Sequence, residues 1–158
     1  MKAKITCYDL RINKVSRKIG LIKEKAFEYS GEHFNEPGKV AKFIAKTIGA
    51  ESFYEERAHI IALNLAGEIV GVFELSRGRL DSSSVGVKEI FTRLLLCRAS
   101  AFIFTHNHPS GTAMPSENDI KFTNDMIKAA KTMEIKFLDH IITTSGSNYY
   151  SFKNAQRI

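Results

Sequence analysis

The chain's sequence predicts an α/β fold, a mixed β-sheet covered by helices. Three observations point there. Short apolar, β-favouring runs such as residues 101–105 (AFIFT) have the length of buried strands. Longer stretches from residue 87 and from residue 116 carry apolar side chains at helical spacing. Ala66-Gly67 separates two strand-like runs as a hairpin turn would.

In chain order, residues 5–10 read as a strand. Residues 11–36 show no clean period, and a helix over 22–29 is the reading there. Pro37-Gly38 opens a helix through Val40, Phe43, Ile44 and Ile48, and Gly49 ends it. Strands at 58–65 and 68–76 form the hairpin, and the serines at 82–84 form a polar loop. A helix over 87–98 buries Ile90, Leu94, Leu95 and Cys97. The strand ending in histidine follows, then a helix continuing through Ile120, Phe122, Met126, Ile127, Ala130 and Met133. A strand at 136–144, a Ser-Gly-Ser turn and a short strand at 149–152 complete the chain. The 158 residues suit one core, organised as a basic segment, 1–36, packed on a domain over 37–158.

Net charge is +6. Lys2, Lys4, Arg11, Lys14, Arg17, Lys18, Lys23 and Lys25 gather in the first segment. They read as a solvated basic face, which allows weak, non-specific nucleic-acid binding. No helix-turn-helix signature accompanies them. No apolar run approaches the ~18 residues of a membrane span, and the N-terminus lacks a secretory core. The two cysteines, Cys7 and Cys97, form no Cys-x-x-Cys pair. That excludes a cysteine zinc knuckle and suits a reducing, cytoplasmic setting.

The chemistry concentrates in FIFTHNHPSGTAMPSEND, residues 102–119. Side chains alternate along a strand, so His106 and His108 share a side. Pro109, Ser110 and Gly111 then stop the strand. Ser116 reads as a helix N-cap and Asp119 as the third helical residue, a capping pair. Two imidazoles and a carboxylate from the next helix's first turn have the composition of a catalytic zinc site, which leaves its fourth position open.

His106-x-His108, seven residues, Ser116, two residues and Asp119 resemble the JAMM (MPN-plus) metalloprotease motif. The flanking HNHPSG, PS-x-x-D and LDHII resemble its bacterial RadC branch, in the short form without an N-terminal helix-hairpin-helix region. The resemblance implies a JAMM/cytidine-deaminase-like fold with Zn²⁺ at one end of the sheet, held by His106, His108 and Asp119. It also implies a glutamate before the first core strand. Glu55 and Glu56 both stand there, and the family register, counted back from Leu63-Asn64, selects Glu56; Ala58 departs from the aromatic often found at its position. Glu56 is then the general base and Ser116 the donor to the tetrahedral oxyanion. The substrate is an unidentified protein or peptide, cut at a peptide or isopeptide bond. The alternative is a non-catalytic or DNA-associated module acting in DNA repair or mobile-element biology, since the family carries a DNA-repair label.

Gly78 matches a family glycine and reads as a turn. Glu89, in Lys-Glu-Ile-Phe, reads as an exposed helix residue. Asp139-His140 resembles the family's Asp-His, with His140 either orienting a ligand or simply hydrogen-bonded in a strand. His33 and His59 read as plain surface or strand residues. The string His-Asn-His is not the nuclease motif of that name, which is spread over a hairpin and a helix. Amidohydrolase barrels need ~200 residues or more, and metallo-β-lactamase-type sites want an aspartate where Ser110 stands.

Overall fold

The structure, a computed structural model, describes residues 3–29, 34, 36–78, 85–145 and 148–158. One seven-stranded sheet runs through the molecule in the order β2-β1-β4-β3-β5-β6-β7. Its strands are β1 (Ala3–Ile12), β2 (Ile19–Tyr29), β3 (Arg57–Leu63), β4 (Ile69–Arg77), β5 (Ala101–Asn107), β6 (Lys136–Thr143) and β7 (Tyr149–Ser151). Among the described residues, only β1/β4 and β5/β6 pair in parallel. The sheet is mixed, as the sequence predicts.

Helices cover both faces. Helix α1 (Pro37–Phe43) and the π-turn Ile44–Ile48 that continues it pack Val40, Phe43 and Ile44 against Ile61, Val72, Ile103 and Ile141. Gly49 ends that segment at φ 81°, a left-handed conformation that glycine adopts without a Cβ clash. On the other face, α2 (Val87–Leu96) and α3 (Glu117–Met133) bury Ile90, Phe91, Leu94 and Met126 against Ile60, Phe73, Phe102 and Phe104. Burial on both faces explains why β5 is apolar almost throughout rather than alternating.

Two expectations are corrected. Residues 22–29 form the outer strand β2, not a helix. The string Lys-Glu-Lys-Ala-Phe-Glu favours a helix locally, but pairing with β1 from Ala3↔Tyr29 to Ile12↔Ile19 overrides that preference. A bulge lets Glu24 stand unpaired, and the exposed lysines suit an edge strand. In α2, Leu95 is 53% exposed, while Phe91 joins Ile90 and Leu94 in the core. Leu95 is turned about 100° from Leu94 around the helix, away from the sheet. Cys97 is only part-buried, its thiol donating to the Leu94 carbonyl. His33, Lys2, the serines at 82–84 and the centre of the Ser-Gly-Ser turn lie outside the described residues.

Candidate metal centre

Strand β5 delivers the histidines at its carboxyl end. His106 is paired with Ala58 on β3 and Ile142 on β6, and it is 2% exposed. His108 lies one residue past the strand, its backbone N–H held by the Thr143 carbonyl at 2.8 Å. Helix α3 then crosses from β5 to the parallel β6, which sets its N-terminus over the same end of the sheet.

Ser116 caps α3. Its Oγ accepts from the Asp119 N–H at 3.2 Å, and Asp119 Oδ2 accepts from the Ser116 N–H at 2.7 Å. This capping box fixes the Asp119 carboxylate in the first turn, where the helix dipole also favours negative charge. Asp119 Oδ1 lies 3.2 Å from His106 Nε2, and Oδ2 lies 3.5 Å from His108 Nε2. The two Nε2 atoms are 2.9 Å apart. The ligand atoms of His106, His108 and Asp119 all fall within 4.8 Å of one another.

The donor chemistry fits a cation. His108 Nδ1 lies 2.9 Å from the Thr112 carbonyl, which can only accept. The ring proton therefore sits on Nδ1 and the lone pair of Nε2 faces Asp119. Behind His106, Nδ1 meets His140 Nε2 at 2.9 Å, and His140 Nδ1 meets Thr123 Oγ1 at 2.7 Å. Burial pushes His106 below its ordinary pKa, against the pull of Asp119. Asp119 raises the pKa of His108 by accepting from Nε2 in the doubly protonated ring, with burial opposing. Burial would push Asp119 up, but its bonds to both histidines and Ser116 hold its carboxyl far below the usual range.

Glu56 and Glu55 act on different groups. Glu56 stands two residues before Ala58, which is paired with His106, and its charge acts on both His106 and His108. The charge of Glu55 acts instead on Arg77, whose pKa is raised mainly by Glu74. The backbone around Glu56 is held from three directions. Asn107 Nδ2 donates to the Glu55 carbonyl at 3.0 Å, Asn107 Oδ1 accepts from the Arg57 N–H at 2.8 Å, and the Gly78 N–H donates to the Glu56 carbonyl at 2.8 Å. Gly78 adopts φ 98°, so the turn role expected for it comes with a grip on Glu56.

The sequence reading missed Asn107 and Thr123. A signal existed for Asn107: alternation turns it away from the histidines, into a buried layer where an amide must find several partners. His140 is a buried, hydrogen-bonded strand residue in contact with the candidate ligand His106. Asp139 turns to the other side, accepting from Ser151 Oγ at 2.6 Å and the Lys153 N–H at 3.0 Å. Glu89 is exposed, as expected. His59 is a strand residue but not a surface one; it is 4% exposed, stacked on Phe53.

The comparisons agree with this architecture. A family model described as the RadC-like JAB domain matches residues 34–157. A UPF0758 protein of Fusobacterium nucleatum is 37% identical over 111 residues, covering 70% of this chain and 47% of the relative. One from Porphyromonas gingivalis is 39% identical over 98 residues, 62% of this chain and 43% of the relative. One from Symbiobacterium thermophilum is 34% identical over 117 residues, 74% of this chain and 49% of the relative. The chain spans about half the length of these curated relatives. With the matched segment taking in β3 to β7, all three helices and every candidate ligand, the chain belongs to the RadC-like JAB domain family.

Proposed function

We propose that the chain is a zinc-dependent hydrolase of peptide or isopeptide bonds, with His106, His108 and Asp119 as the metal ligands. The observation that carries this reading is the convergence of acceptor atoms at the end of β5, with the Glu56 charge acting on both histidines. Zinc at such a set supplies Lewis acidity and brings the pKa of a coordinated water to ~7. Glu56 takes the proton given up by water and passes it to the leaving amine, so that hydroxide ends on the acyl carbon and the proton on nitrogen. Ser116 Oγ donates to Asp119 Oδ2 at 2.6 Å. Its single proton serves the oxyanion only after the hydroxyl turns away from that carboxylate.

Metal analysis tests the reading. Wild type is expected to hold about one zinc per chain against other divalent ions, and His106→Ala to lose it on dialysis. Stoichiometric zinc surviving that substitution overturns the ligand assignment. The basic β1–β2 hairpin belongs to the same reading as a weak, sequence-independent contact for nucleic acid rather than a DNA-specific module.

A further inference from the structure

We propose that His140, held by Thr123, is a positioning residue that sets the tautomer of His106 and so keeps the His106 Nε2 lone pair aimed into the metal centre. The inference rests on the metal reading above and extends it to two residues outside the ligand set.

The proton positions follow from one fixed end. Thr123 Oγ1 lies 2.6 Å from the Asp119 main-chain carbonyl, one helical turn back. A carbonyl oxygen can only accept, so the Thr123 hydroxyl spends its single proton there. Its oxygen can then only accept from His140 Nδ1, at 2.7 Å, and Nδ1 must carry the ring proton. A neutral His140 is left with a bare Nε2. That atom accepts from His106 Nδ1, at 2.9 Å, and the lone pair of His106 falls on Nε2. The opposite chain of protons would put hydrogen on His106 Nε2 and block its use as a ligand.

The His140 ring has little freedom to leave this arrangement. It is fully buried, stacked on Phe152 with centroids 4.6 Å apart, and edge-on to Phe104 at 4.8 Å. Thr123 sits on α3 one turn beyond Asp119, so a single helix supplies both a ligand and the end of the relay. His108 needs no such relay, because the Thr112 carbonyl sets its tautomer directly. The two histidine ligands are thus oriented by different means, one by the backbone and one by a second imidazole.

Imidazole ¹⁵N spectroscopy on the zinc-loaded wild type, with chelator-competition affinities for three variants, tests this. The spectra are expected to show His140 protonated at Nδ1 and bare at Nε2. His140→Phe should keep the aromatic packing and weaken zinc binding about 10–100-fold. His140→Gln, whose Oε1 can accept from His106 Nδ1, should recover most of that loss, which a purely structural role for the ring would not predict. His140 protonated at Nε2, or a folded His140→Phe with wild-type affinity, overturns the inference and leaves the ligand assignment standing. Should His140→Phe not fold, Thr123→Val decides: weakened zinc binding supports the relay, and wild-type affinity overturns it. Wild type that takes up no zinc overturns the metal reading itself, and this inference with it.

Discussion

Two adjacent glutamates, Glu55 and Glu56, precede β3, and their charges act on different groups. The charge of Glu56 acts on His106 and His108, whereas that of Glu55 reaches Arg77. Glu56→Gln should therefore keep fold and zinc but lose ~10²–10⁴-fold in hydrolysis of a peptide or isopeptide substrate. Glu55→Gln should stay near wild type. Rates for both variants, with zinc content measured alongside, check the assignment. A dead Glu55→Gln would mean the register is off by one. Asn107 deserves equal notice at this scale, since its one amide bonds both main-chain groups flanking Glu56.

Helix α3 carries its own start signal, and that signal is shared with the site. Ser116→Ala removes the hydroxyl that accepts from the Asp119 N–H, and should lower stability by ~1 kcal/mol in urea unfolding. Zinc affinity should fall too, because Asp119 Oδ2 loses the Ser116 hydroxyl bond. Across β3 and β4, Glu74 sits beside Arg57, His59 and Arg77. The hydrogen bond to His59 lowers its pKa to about 2 from the ordinary 4.5, with burial opposing and Arg77 assisting. A carboxyl lowered on folding contributes stability above its unfolded value and loses it as pH falls through the folded one. Glu74→Gln should therefore be less stable than wild type at neutral pH. The two should converge as pH falls from about 4.5 toward 2 in acid-unfolding curves.

Over the whole molecule, charge is placed unevenly. Lys4, Arg11, Lys14, Arg17, Lys18, Lys23 and Lys25 are all exposed on the β1–β2 hairpin, at one edge of the sheet. The candidate ligands His106 and His108 sit at the end of β5, with β4 and β3 between β5 and the hairpin. Nucleic acid should bind weakly, without sequence preference, and weaken steeply with salt as counterion release fades. Titrations of unrelated duplexes at several salt concentrations check this. Tight binding of one defined sequence at physiological salt would favour the DNA-module reading instead. Among the described residues, no helix is long and apolar enough to cross a membrane.

What the sequence determined by itself is whatever short-range spacing encodes. His106, His108, Ser116 and Asp119 lie within one strand-loop-helix passage, so alternation, a Pro-Ser-Gly stop and a capping pair suffice to bring them together. The amphipathic helices and the Ala66-Gly67 hairpin were legible for the same reason. Long-range pairing decided the rest. The β3–β5 register pairs Ala58, two residues after Glu56, with His106, and the parallel β5–β6 register sets His140 behind it. The strand character of residues 22–29 came from β1, against a locally helical composition. Such contacts depend on which strands become neighbours, and tertiary packing makes that choice because it buries both faces of the sheet at once.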